Sequence, residues 1–524
     1  MRALLPCLLI PYLLIAGCGA APRTDQRLTI IFAQEPDSLD PALSKDVASG
    51  RLCGYVYSNL VRFDQELRVA PDLSDTWTVA PDGLTYTFHI RPDAHFASGR
   101  RVTADDVKGS FERVLAKTTG SGRTWVLDRI RGAHEFMEEK APAVAGIEAR
   151  GDALILTLEK PFAPFLGFLT MPAAAVVDLE AVAKWGADFP RHECGSGPWS
   201  VVTWVKDVGL ELAPNPKHHF GAPHAKGLVA RIVKEAITTV TEMRVGNADL
   251  TEIPGPELPT IRQDKRWTGC VVDRPGLNSY FIGFNCEVGP FVDRDLRRAA
   301  TMAIDRDTIV RTVRDGMAVT ARGPIPPGLL GHDPAFKGLP YDPAAARAIV
   351  AQKLKAGTTI RLVQPDQKDA LEVTQMVQAY LQQAGFDVTL VQFEFNTFKK
   401  KVDEGKFDAY YFNWSADYAD AENFLFPLFH SSRRAGGGNG PRYANPEVDQ
   451  LLVKIQSTAD DAARRQLYRT VEEKVVEDAS RAFLFHKKQL WLRQPWVRDF
   501  TLFPVFNSEM MRTPSLEMER LGQF

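Results

Sequence analysis

One apolar run, Ala3 to Ala16, ends in Ile15–Ala16–Gly17–Cys18, and no run like it recurs in the rest of the 524 residues. That contrast constrains the fold more than any other feature. A membrane-spanning helix needs about 20 apolar residues, so this run is too short for a permanent span. A basic start at Arg2, a short apolar core and small residues at its end read instead as a secretory signal. Everything after Cys18 is then expected to fold in water outside the cytosol.

Chains of this length divide into domains of roughly 100–200 residues, so about three are expected. Hydrophobic content of 45% and charged content of 24% are ordinary for a globular body. A formal net charge of −2 creates no strong field, which argues against a nucleic-acid partner. The cysteine directly after Ala16–Gly17 resembles a lipobox, in which Cys18 becomes an acylated N-terminus. Residues 1–17 are then the signal and 18–25 a small, polar tether. Cys53, Cys194, Cys270 and Cys286 either pair as one or two disulfides or stay as buried thiols; none forms a C-x-x-C.

The remaining pattern alternates strands and helices. A hairpin spans Trp77 to Arg91, turning at Pro81–Asp82–Gly83, with Tyr86, Phe88 and Ile90 on one face. Thr103 and Asp106 predict a capped helix start, followed by Val107, Phe111, Val114 and Leu115 on one face. Thr359–Val363, Leu371–Ala384 with Gly385, and Val388–Val391 read as strand, helix and strand, hence a mostly parallel sheet. Further helices are expected from Asp293 to Thr312 and from Asp460 to Asp478.

No catalytic signature emerges: phosphate-loop, H-E-x-x-H and nucleophile-elbow patterns are absent. The reading is a non-enzyme without a cofactor. His218, His219 and His224 are close in sequence, but neighbours on extended backbone point opposite ways, so no metal is expected there. The most suggestive stretch is Phe412 to Phe424, which follows the aromatic strand candidate Phe407–Tyr411. A carboxylate beside aromatic rings suits a cationic group, because the rings exclude water around a charge-assisted bond. Asp420 is expected to cap a helix over Asn423–Phe429, which leaves Asp417 as the ligand candidate, with Tyr411 beside it. Trp414 is either a core residue or part of the same pocket.

Taken in order, these segments resemble the family 5 extracellular solute-binding proteins, the oligopeptide-, dipeptide- and nickel-binding components of bacterial ABC importers. The resemblance rests on Pro36–Asp37–Ser38–Leu39–Asp40–Pro41, Trp77, Asp82–Gly83–Leu84–Thr85–Tyr86–Thr87–Phe88, Thr103–Ala104–Asp105–Asp106–Val107 and Gly195–Ser196–Gly197–Pro198–Trp199. Asn215–Pro216, Pro290–Phe291, Ala303–Ile304–Asp305–Arg306, Ala416–Asp417–Tyr418 and Tyr443–Ala444–Asn445–Pro446 extend it over nearly the whole mature chain.

The resemblance implies an α/β fold of the periplasmic-binding-protein type II kind, with two hinged lobes and an extra domain. Carried onto this chain, residues 26–54, 181–268 and 487–524 form lobe one and 55–180 the extra domain. Lobe two is 269–486, with crossings near Cys270 and Phe485. It also implies that Asp417 pairs with a peptide α-ammonium and that Ser44 to Val47 offers backbone to an extended ligand. The family's arginine for the ligand carboxylate is missing from Gln364–Lys368, leaving Lys368 as its substitute. The expected partners are a peptide or related small solute, an ABC permease, and a membrane reached through the lipid on Cys18, with the protein a monomer in the periplasm or at the outer cell surface. Two alternatives remain: a binder of a metal chelate, sugar or opine, and a lipoprotein that signals without transport.

Overall fold

The computed structural model describes residues 26–517 apart from Glu193 and Ala435. The signal, Cys18 and its tether lie outside the described residues. No described helix is long and apolar enough to cross a membrane.

Two sheets carry the fold, and one strand belongs to both. In the first sheet Arg27–Phe32 lies parallel to Gly227–Ile232 and to Leu250–Glu252. Gly209–Pro214 and Trp199–Val205 continue it antiparallel at one edge. In the second, Asp387–Phe393, Thr359–Pro365 and Ala409–Ser415 run parallel, and Ala409–Ser415 pairs antiparallel with Asn278–Phe284. The long strand Arg481–Arg493 pairs through residues 481–485 with Asn278–Phe284, and through 488–493 with Val271–Pro275 and Leu250–Glu252. The backbone therefore passes between the sheets twice, within this strand and at Gly276–Leu277. Gly276 allows the close approach: its nitrogen donates to Lys487 O at 2.9 Å, and a Cβ there would sit 2.7 Å from that same oxygen.

A smaller antiparallel sheet, in the order Ser74–Val79, Thr85–Ile90, Ala153–Thr157, Ile147–Arg150, has its own core. Tyr86, Phe88 and Ile90 point inward, as their alternation requires, and meet Val107, Phe111 and Leu115 from helix Ala104–Leu115. That helix opens with a full capping box: Thr103 accepts from Asp106 N, and the Asp106 side chain accepts from Thr103 N.

The structure corrects two local expectations. The helix from Asp293 to Thr312 is two helices, Arg294–Ala303 and Arg306–Val313. Asp293 caps the first, and Asp305 caps the second by accepting from Thr308 N, so Ile304 is extended between them. Asp420 is not the N-cap of helix Glu422–Phe429, a position that Ala421 takes. The four described cysteines are all free thiols. Cys194 lies 3.1 Å from the Tyr57 hydroxyl, and burial raises its pKa to about 12. The helix Asp461–Asp478 starts as expected, with Asp460 accepting from Ala463 N.

Candidate functional site

Strand Ala409–Ser415 is held by neighbours on both sides, and the chain beyond it becomes a loop fixed by side chains. Ala416 N donates to Leu277 O at 2.8 Å, and Asp417 N donates to Asn423 Oδ1 at 3.0 Å. The same Asn423 oxygen accepts from Trp414 Nε1 at 3.4 Å. Tyr418, next in line, is buried among the small sheet's core residues, its ring 4.5 Å from that of Phe168. Its hydroxyl donates to buried Glu422, which also accepts from Gln456 Nε2 at 2.6 Å. Asp417 is thus pinned from both flanks while its carboxylate stays 39% exposed.

Across from it runs the loop before helix Val47–Val56. Asp46 caps that helix by accepting from Ser49 N at 2.8 Å. Asp40, paired with Arg113, anchors the start of the loop. Arg123 holds its middle: Nε donates to Ser44 O at 3.3 Å and Nη2 to Lys45 O at 3.0 Å. The remaining arm, Nη1, lies 3.7 Å from Asp417 Oδ1. Burial raises the Asp417 pKa, and Arg123 opposes that rise. A cavity of about 170 Å³ is lined by Ser44, Lys45, Val47, Arg123, Ser415 and Asp417, among others. Val47, itself exposed, also lines a second cavity of about 440 Å³ with Arg51, Lys234 and Glu252. That cavity sits at the carboxyl ends of parallel strands Arg27–Phe32 and Leu250–Glu252, the usual ligand position of an open α/β sheet.

Of the residues nominated from the sequence, Asp417, Ser44 and Val47 meet in one cavity. Trp414 does not line it. Its side chain leaves the opposite face of the strand from Ser415 and lines a small cavity with Phe281, Phe398 and Phe412. Tyr411 is buried deeper, beside Arg314, and burial raises its pKa strongly. Lys368 opens helix Lys368–Gln383 in an exposed position. A cation cluster instead gathers on the neighbouring residue: Asp369 accepts Lys487 Nζ at 2.9 Å and lies 3.6 Å from Arg314.

Sequence reasoning missed Arg123 and Asn423. Asn423 reads as an ordinary helix position, and the only local hint for Arg123 is its position after the turn-forming Gly120–Ser121–Gly122. The histidines take separate roles. His219 Nε2 is 2.9 Å from Asp72 Oδ1, His224 contacts Thr513 O at 2.8 Å, and buried His218 has its pKa lowered to about 3 by desolvation. Among the described residues, no group of three or more His, Cys, Asp or Glu side chains is arranged to hold a metal.

Comparison with known proteins fits this architecture. The family described as bacterial extracellular solute-binding proteins, family 5 Middle, matches residues 68–436. A probable D,D-dipeptide-binding periplasmic protein of Escherichia coli K12 is 28% identical over 509 residues, covering 94% of this chain and 95% of its own. A di/tripeptide-binding protein of Pseudomonas aeruginosa is 27% identical over 526 residues, covering 96% and 97%. Among solved structures, the periplasmic murein tripeptide-binding protein in its unliganded open form superposes with a TM-score of 0.83 at 24% identity, covering 95% of this chain and 99% of that one. The Helicobacter pylori periplasmic binding protein in complex with the peptide STSA gives 0.75 at 24% identity, covering 94% and 99%. The chain has the periplasmic-binding-protein type II fold and belongs to family 5 of the bacterial extracellular solute-binding proteins.

Proposed function

We propose that this protein is the exported substrate-binding component of an ABC importer, closing two lobes over a peptide and passing it to a permease. Lobe one comprises residues 26–54, 181–268 and 487–524, with the extra domain at 55–180; lobe two is 269–486. A lipid on Cys18 keeps the protein at the membrane, and several acyl chains are required because one holds only marginally.

The observation that carries the reading is Asp417, a pinned, partly open carboxylate facing the Ser44–Val47 loop across one cavity. The carboxylate takes the ligand ammonium, and the loop supplies main-chain partners. Relatives named for dipeptides and tripeptides over almost their full length support the same class of cargo. Ligand contacts reach both lobes only when these are closed, so binding shifts the population toward closure. Driving a two-state equilibrium from 1:99 to 99:1 needs about 5.5 kcal/mol of differential binding. A few charge-assisted bonds of roughly 1.5–3 kcal/mol each suffice.

Calorimetry with short peptides tests the proposal. Peptides with a free N-terminus are expected to release heat, and their N-acetylated forms are expected to bind far more weakly. Equal binding of both forms would reject Asp417 as the ammonium site. Retention of the Cys18→Ala protein in the membrane fraction would reject the anchor.

A further inference from the structure

The cavity that holds Asp417 also holds a fixed cation. Arg123 cannot swing aside freely, because two of its three nitrogens are bound to the carbonyls of Ser44 and Lys45. Val126 and Leu127, three and four residues on, are locked in the small sheet's core. A guanidinium keeps its proton at any ordinary pH. Nη1 therefore faces the Asp417 oxygen as a charged group, 3.7 Å away. Lys45 lines the same cavity. Of the two acidic residues in the lining, Asp46 is occupied with the start of helix Val47–Val56. The charged residues of the lining are then two cations, Asp417 and the capping Asp46.

An ordinary peptide N-terminus uses only the Asp417 half of this arrangement. It brings an ammonium alone, and approach to Asp417 sets that ammonium beside Arg123. A head group carrying ammonium and carboxylate on the same carbon fits well. Its ammonium meets Asp417 while its carboxylate meets Arg123 Nη1, each over about 2.8 Å, so that unlike charges alternate around a closed ring of four groups. Building on the peptide-binding reading above, we propose that Arg123 and Asp417 together recognise a zwitterionic α-amino-acid head whose link to the rest of the ligand runs through its side chain, as in a γ-glutamyl peptide. Arg123 is then the residue that separates side-chain-linked peptides from ordinary α-linked ones.

Calorimetry of the folded chain decides this with three probes: γ-glutamyl-alanine, its α-carboxamide, and α-linked glutamyl-alanine. γ-Glutamyl-alanine is expected to bind at least tenfold more tightly than either of the others. Arg123→Met is expected to bring it down to the level of the carboxamide, and Arg123→Lys to restore part of the preference should the methionine variant fold poorly. Equal affinity for acid and carboxamide in the unaltered protein, or a preference for the α-linked peptide, overturns the proposal and leaves Arg123 as an anchor of the loop, with peptide binding intact. Absence of heat with all three probes and with simple α-peptides overturns the peptide-binding reading as well.

Discussion

Asp417 and Asp420 are three residues apart on one loop, and each meets an arginine, yet they live in different surroundings. Asp417 and Arg123 keep 39% and 26% of their side-chain surfaces exposed, and they meet at 3.7 Å inside a cavity. Asp420 and Arg464 keep 11% and 8%. Asp420 also accepts from the Tyr468 hydroxyl and from Glu422 N at 2.8 Å, so its oxygens are satisfied by the protein. The first pair has capacity left for a ligand. The second is closed off by burial, and its role is to join helix Asp461–Asp478 to the loop. Charge and residue type are shared; exposure separates the open pair from the brace.

The largest expected effect falls on the brace. Arg464→Met leaves Asp420 buried without its cation, and a loss of about 3–5 kcal/mol in urea unfolding at pH 7 is expected. An unchanged midpoint would erase the distinction between the two pairs.

Glu472, 3% exposed two turns along the same helix as Arg464, extends the comparison to a buried carboxylate without a close cation. Burial raises its pKa from 4.5 to about 8. The folded protein then holds a proton that the unfolded chain releases, so this group's contribution to stability falls as pH rises between these values. The slope is up to about 1.4 kcal/mol per pH unit. Glu472→Gln is expected to flatten that decline, measured as unfolding free energy at pH 5.5 and pH 8.

At the open pair, Asp417→Asn is expected to weaken peptide binding roughly 10- to 150-fold, the worth of one charge-assisted bond, with stability changed by less than about 0.5 kcal/mol. A large stability loss here would make Asp417 a second brace. The smallest effect is expected at exposed Lys368, where Lys368→Ala should alter affinity by less than about twofold. A larger loss would place a ligand carboxylate beside helix Lys368–Gln383.

Much of the fold was legible because it repeats locally. The strand–helix–strand unit Thr359–Pro365, Lys368–Gln383 and Asp387–Phe393 follows from its apolar periods, and Gly385, at φ +99°, ends it where expected. The Thr103 cap was equally readable. The run through Asp293 to Thr312 was not, because Asp305 looks like an ordinary exposed helix position until its carboxylate is seen accepting from Thr308 N. At the site, Asp417 stood out as an acid without a capping duty. Trp414 and Tyr411 were nominated with it because they are close in sequence, but strand pleating turns Trp414 away from Ser415, and Tyr411 lies deep beneath the sheet surface.

The sequence by itself determined the alternating elements, their caps and the family, since these depend on residues a few positions apart or on motifs in fixed order. Only the tertiary structure decided which aspartate would stay open to a ligand. That outcome depends on which arginine the folded chain delivers and how deeply: Arg464 arrives on a packed helix and seals Asp420, while Arg123 arrives on a loop already tied to Ser44 and Lys45 and leaves Asp417 at the wall of a cavity. No local period encodes such meetings, because they are fixed by how separate cores pack against one another.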